Sequence, residues 1–320
     1  MSYLLRNSII AICIAVIFTI AGFSPAGAKE KEVRFVHVSW TGVTVKTELA
    51  SKILESLGYE VTSNMVSVPI CYKAMATNEA DVFLGNWMPS MKSIANPYFE
   101  KGTVVKYVAN MENAKYTLAV PEFVYEAGLK DFSDIAKYGE KLDWKIYGIE
   151  EGNDGNKVIQ KMIDKNMFGL GKFELVPSSE AAMLSQVKSF VKKGKWIVFL
   201  GWAPHYMNEI IDMKYLSGST PETFGPNNGS ATVYTNIRKG FAKEYPNVAE
   251  LLKNLKFPVS MMNQIMEMLY KNSDLTTMKA GLMWIKEHPE MYKKWLAGVK
   301  TLDGKPALPA FENYLDSVDL

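Results

Sequence analysis

The sequence predicts an α/β chain folded as two lobes with a ligand cleft between them, and three observations carry that reading. A short phrase occurs twice, as Val82-Phe83-Leu84-Gly85-Asn86-Trp87-Met88-Pro89 and as Val198-Phe199-Leu200-Gly201-Trp202-Ala203-Pro204. Each copy is an apolar run of strand length closed by Gly, Trp and Pro, the punctuation of a buried strand that ends and turns. Strand and helix patterns alternate before each copy, which argues for parallel sheets covered by helices. Ligands of open α/β sheets bind outside the carboxyl ends of the strands. A Trp one or two residues beyond such an end is therefore placed at the mouth of a crevice. A single Trp there is more often a core aromatic; repetition of the whole context favours the crevice.

Taken in order, Glu32–Trp40 alternates and is rich in Val and Phe, a strand that ends at Trp40-Thr41-Gly42. A helix follows from about Thr44 to Leu57, with Leu49, Ile53, Leu54 and Leu57 at helical spacing and Gly58 closing it. Glu60–Val66 reads as a strand, Pro69–Thr77 as a helix, Asp81–Leu84 as a strand, and Thr103–Val108 and Tyr116–Val120 as two more. The pattern then restarts. Trp144–Ile149 is a strand, Gly155–Lys165 a helix opened by Asn153-Asp154, Phe173–Val176 a strand, Ser179–Lys192 a helix and Trp196–Leu200 a strand. Leu216–Ser230 is a connection rich in Gly, Pro, Ser and Asn, and Ala231–Ile237 a final strand. Helices close the chain at Asn247–Leu255, Val259–Lys271, Thr276–Lys286 and Glu290–Leu296. The lobe crossings fall near residues 110 and 213. The expected organisation is 29–110 as the first part of lobe 1, 111–212 as lobe 2, and 213–320 as the return to lobe 1.

Residues 1–28 read as a cleaved signal peptide: Arg6 supplies a positive start, Ile9–Phe23 an apolar run, and Ala26-Gly27-Ala28 a small-residue cleavage site. Export places the protein in the periplasm. Cys71 is then the only cysteine, so no internal disulfide is expected and stability must come from the core. The net charge is +2, or +1 without Arg6, and lysines and arginines are scattered among acids. No basic stripe offers itself to phosphates, which argues against nucleic acid.

Catalytic and metal motifs do not assemble. Gly169-Leu170-Gly171-Lys172 is followed by Phe173 rather than a hydroxyl, and neither HExxH, GxSxG nor a zinc-type cysteine pair occurs. The histidines are dispersed: His37 reads as a core residue, His288 as a surface residue, and His205 as a candidate for the cleft. Met261, Met262, Met266 and Met268 have no interleaved His or Cys, so they read as core rather than as a copper site. No cofactor, metal or catalytic group is expected. What the chain offers is aromatic. Trp40, Trp87 and Trp202 each fall at a predicted strand end, and Tyr116 opens the strand after the first crossing. Aromatic faces attract a cation through the ring quadrupole, and cages of such rings recognise quaternary ammonium groups, which have no N–H to donate. Trp40 and Trp87 would come from one lobe, Tyr116 and Trp202 from the other. Trp144, Trp196, Trp284 and Trp295 are left to core or surface. The turn Glu150-Glu151-Gly152-Asn153-Asp154-Gly155-Asn156 lies before a helix, where Asn153 or Asp154 caps backbone N–H groups or holds a polar ligand atom.

Together the segments Trp40-Thr41, Asp81–Pro89, Lys115–Pro121, Ile146–Asn156, Phe199–Trp202 and Ala231–Asn236 resemble the periplasmic choline and glycine betaine binding proteins of ABC importers. The similarity runs through most of the chain after the signal and is greatest to the choline-binding branch. The resemblance implies a type II, Venus-flytrap fold that captures a quaternary ammonium solute and delivers it to a membrane permease. It matches Trp40, Trp87, Tyr116 and Trp202 to the aromatic box and Asn153 to the asparagine that holds the ligand's polar end. One position departs. The choline-binding pattern reads Trp-Thr-Asp after the first strand, and here the Asp is Gly42. A carboxylate there would accept a hydroxyl proton and repel a carboxylate ligand; glycine does neither.

The expected function is thus that of a monomeric, non-enzymatic solute-binding protein for choline or glycine betaine, feeding an ABC permease. Trimethylamine N-oxide or carnitine is the alternative solute. A secreted enzyme acting on methylated amines is the alternative of a different class; it would need His205 or Glu151 as a base. A chemotaxis receptor domain would share the pocket and differ in partner.

Overall fold

The computed structural model describes residues 31–320, so the expected signal peptide lies outside the described residues. Nine strands, β1 (Glu32–His37), β2 (Glu60–Met65), β3 (Val82–Met88), β4 (Val104–Pro121), β5 (Lys145–Tyr147), β6 (Glu174–Val176), β7 (Phe199–Ala203), β8 (Met213–Tyr215) and β9 (Ser230–Arg238), run through the described residues. Their order is β2-β1-β3-β9-β4-β7-β5-β6, with β8 on the outer side of β4. This divides into two sheets of one design that share β4. In the first, β1 is parallel to β2 and β3, and β9 and then β4 follow antiparallel. In the second, β5 is parallel to β6 and β7, and β4 and then β8 follow antiparallel. The two copies of the repeated phrase are the third strands, β3 and β7, of these two sheets.

Helices cover both sheets. Helix Thr41–Ser56 buries Val43, Val45, Leu49, Ala50, Ile53 and Leu54, and the chain leaves it through Gly58 at φ +94°, a conformation that favours glycine. Helix Asp154–Asp164 is capped by Asn153, and helix Glu180–Lys192 by Ser179, whose Oγ accepts from the Ala182 N–H at 3.2 Å. Helices Pro246–Asn254, Val259–Lys271, Thr277–Glu287 and Pro289–Trp295 follow β9 close to their expected bounds. The sequence reading had no helix at Lys92–Glu100 or Ala307–Ser317 and no strand at β8. The first of these helices contains Pro97, and β8 spans only Met213–Tyr215, so neither carries a full periodic signal.

Two further differences matter for the site. β4 is one strand of 18 residues where the sequence suggested two, because β9 and β7 pair with its successive halves. β3 and β7 also run through their tryptophans instead of ending before them. Trp87 lies opposite Val233 of β9, and Trp202 opposite Tyr116 of β4. Antiparallel neighbours carry each strand past its apolar run. Both phrases then leave their strands through cis peptides, Met88-Pro89 and Ala203-Pro204. After residue 213 the chain stays with the second sheet, β8 pairing with the end of β4, and runs back along β4 only from Ser230 onward. No helix among the described residues is long and apolar enough to cross a membrane.

Candidate ligand cavity between the two lobes

Trp40, Trp87, Tyr116 and Trp202 converge on one cavity of about 40 Å³. That is roughly three times the space one buried water needs. Trp40 lies three residues past the end of β1 rather than within it, and is the residue before helix Thr41–Ser56, so its ring is set by the strand-to-helix turn. Trp87 and Trp202 project from the equivalent strands of the two sheets. Tyr116 stands between them, its ring centroid 5.9 Å from Trp87 and 6.3 Å from Trp202 with tilted or edge-on planes. Phe224 packs edge-on behind Tyr116 at 5.6 Å and fixes that ring from the far side. Trp40, Tyr116 and Trp202 are buried and Trp87 is half-buried.

Polar groups hold these rings from outside the cavity. Trp40 Nε1 donates to Glu150 Oε1 at 2.8 Å, tying the first sheet to the turn before helix Asp154–Asp164. Tyr116 Oη donates to Asn153 Oδ1 at 3.0 Å. The same oxygen accepts from the backbone N–H of Gly155 at 2.8 Å and of Asn156 at 3.2 Å, while Nδ2 faces Glu150 and Asp154. Asn153 therefore does cap the helix, and it orients Tyr116, but each of its polar atoms is already engaged by the protein and it stands one layer behind the wall. Glycine is required beside it. A Cβ on Gly155 would lie 2.1 Å from the Tyr116 hydroxyl.

Asp154 and His205 also sit behind the rings. Asp154 is fully buried; burial pushes its carboxyl up to about 7, and Oδ2 has no hydrogen-bond partner among the described residues. His205 does not border the cavity. It packs edge-on against Trp202 at 5.0 Å, its Nδ1 accepts from the Met207 N–H at 3.0 Å, and the remaining Nε2–H donates to Glu180 Oε1 at 3.0 Å. Glu180 in turn accepts from Thr41 Oγ1 at 2.6 Å, a second tie between the two sheets beside Trp40. A third is apolar: Tyr270 of helix Val259–Lys271 stacks on Tyr206 at 5.3 Å with Lys188 over its face at 4.9 Å.

Of the remaining wall residues, the sequence reading names only Gly42 for the site. Gly42, expected near the polar end of the ligand, does line the cavity, together with Val43 and Lys46 on the same helix face. Met266, assigned to the core by its apolar company, lines it too, and its methyl stands 2.8 Å from where a Gly42 Cβ would be. Met111, Ile149 and Pro204 complete the wall. Only Pro204 carried a usable signal, as the end of the repeated phrase.

Two similar sheets sharing a strand, with a small aromatic cavity closed between them, define a bilobal solute-binding protein. The chain belongs to the family described as the substrate-binding domain of ABC-type glycine betaine transport systems, which matches residues 31–287. A choline-binding protein of an ABC transporter, in complex with choline, is 46% identical with a TM-score of 0.87, over 90% of this chain and 99% of that one. An ABC-transporter choline-binding protein in an unliganded, semi-closed conformation is 47% identical with a TM-score of 0.81, over 89% and 98% of the two chains. A glycine betaine/proline betaine-binding periplasmic protein of Salmonella typhimurium is 25% identical over 79% of this chain and 85% of its own length.

Proposed function

We propose that this protein captures a methylated ammonium compound between Trp40, Trp87, Tyr116 and Trp202 and presents it to the membrane permease of an ABC importer. The observation that carries the reading is the convergence of four rings, drawn from both sheets, on one small cavity. A cation within about 6 Å of such a ring gains roughly 0.5–2 kcal/mol per contact, most where water is excluded. Methyl groups on nitrogen match apolar walls and ask for no hydrogen-bond acceptor. Asn153 serves by holding Tyr116, and Glu150 by holding Trp40. The lobes divide, in this proposal, where β4 passes Ala109–Ala114 and where the chain enters β9 at Ser230, supported by the sheet pairing. Residues 1–28 act as the export signal, which places capture in the periplasm, and one chain suffices for one site.

Binding rather than turnover is the proposed activity. The one amine on the cavity wall is that of Lys46, and His205 is engaged by Glu180 outside it. Calorimetric titration with choline, glycine betaine and trimethylamine N-oxide, against their unmethylated counterparts ethanolamine and glycine, tests the reading. At least one methylated compound should bind with a single site and be recovered unchanged. Equal binding of the unmethylated compounds, or appearance of a product, would overturn it.

A further inference from the structure

Lys46 is the one residue of the cavity wall whose side chain can become a cation, and that charge would have the same sign as a bare quaternary ammonium. The side chain is 2% exposed. Its Nζ donates to the Leu84 carbonyl at 2.8 Å and to Asn110 Oδ1 at 3.0 Å. The Leu84 carbonyl is available because the β3–β9 register shifts between Phe83 and Asn86. An ammonium has three N–H donors, so one remains. No carboxylate pairs with Lys46 among the described residues; beyond its two neutral acceptors, only the Phe257 ring lies near, 5.7 Å away. Burial alone pulls Lys46 down to about 7. Buried charges in proteins are ordinarily paired. This one has no carboxylate partner, and its side chain borders a cavity whose other walls attract a cation.

We propose that Lys46 is the specificity-determining pole of this cavity, recognising an anionic oxygen, so that the captured solute is a compact zwitterion whose methylated nitrogen carries its own carboxylate or N-oxide oxygen. The inference rests on the aromatic-cage reading above and adds the other end of the ligand. The rings take the methylated nitrogen, and the oxygen supplies the counter-charge that the protein withholds from Lys46. Gly42 makes this workable. It sits one helical turn before Lys46, and an aspartate there would pair with the lysine and repel the ligand's oxygen. Choline, whose oxygen is an uncharged hydroxyl, offers the lysine a hydrogen-bond acceptor but no counter-charge, and its own cation is repelled by the lysine's.

Calorimetric titration of the mature protein with choline, glycine betaine and trimethylamine N-oxide tests this, in the wild type and in two variants. The wild type should bind one or both zwitterions at least ten-fold more tightly than choline, and whichever leads tells carboxylate from N-oxide. Lys46→Met keeps the volume of the stem and removes the charge; it should weaken the preferred zwitterion ten-fold or more while choline holds or improves. Gly42→Asp leaves the lysine in place, displaces only the flexible end of Met266, and should move the preference toward choline. A wild type that favours choline, a Lys46→Met variant that weakens all three by one factor, or a Gly42→Asp variant with the wild-type ranking overturns the proposal while leaving the cage intact. Failure of all three solutes to bind the wild type overturns the cage reading, and this inference with it.

Discussion

Trp40 joins three tasks in one residue: it caps helix Thr41–Ser56 just past β1, lines the cavity, and gives its indole N–H to Glu150. Trp40→Phe separates face from N–H. Losing a hydrogen bond to a carboxylate, largely screened from water here, is worth about 1–2 kcal/mol. The variant should bind its ligand roughly ten-fold more weakly by calorimetry, with little change in melting temperature; unchanged affinity would remove the Trp40–Glu150 contact from the binding account. Residues of this kind were legible because position and chemistry coincided: an aromatic at a strand end, next to Gly or Pro, is unusual enough to notice. Lys46 was not. A lysine in an amphipathic helix ordinarily faces water, and this one is buried only because β3, β4 and the segment around Phe257 close over it. Asn153 was half legible, since capping is local but its hold on Tyr116 depends on the second sheet arriving beside β4.

At the scale of elements, the first sheet is pinned by a buried carboxylate. Asp81, at the start of β3, takes Arg34 of β1 at 2.9 Å and Arg238 of β9 at 2.5 Å, joining three adjacent strands. Burial pushes its carboxyl up, but the hydrogen bonds from Arg34 and Arg238 outweigh that and hold it below the usual range. Stability from a carboxyl held low is present above its ordinary pKa and is lost as pH falls through the lowered value. Asp81→Asn removes the buried carboxylate shared by two guanidiniums, leaving Arg238 only its pair with Glu244 at 2.6 Å, and should cost about 3 kcal/mol in denaturant unfolding. The acid limb of the wild-type pH–stability curve should flatten in the variant, and affinity at neutral pH should stay within about two-fold. A variant as stable as wild type would show that the strand order does not depend on this cluster. The repeated α/β units and most helix bounds were legible because apolar periodicity and caps are local signals. The continuity of β4, the existence of β8 and the point of return at β9 were not, because each is decided by a strand distant in sequence.

For the whole molecule, the contacts that tie the sheets together also bury carboxyl groups. Burial raises Glu150 and, outweighing a polar contact from Ser90 just past β3 that lowers it, takes Asp154 up to about 7. Opening the cleft would return both toward ordinary carboxyl values, so the closed form binds more protons between about pH 4 and 7. Closure, and ligand affinity with it, should therefore weaken as pH rises through that window. Calorimetry at pH 6 in buffers of different ionisation enthalpy should show proton uptake on binding, and Asp154→Asn should reduce it; no uptake in the wild type would mean that closure does not bury Asp154. The bilobal plan was visible in the sequence as a phrase said twice, and the structure shows why: each copy is the third strand of its own sheet. The most direct test of the central claim is a calorimetric titration of Trp87→Ala beside the wild type, using the tightest-binding methylated ammonium compound. Trp87 is half-buried, so the fold should survive its truncation. Losing one desolvated ring contact, about 2 kcal/mol, predicts an affinity about 30-fold lower or worse with the melting transition retained. Wild-type affinity in that variant would contradict an aromatic cage built from both lobes.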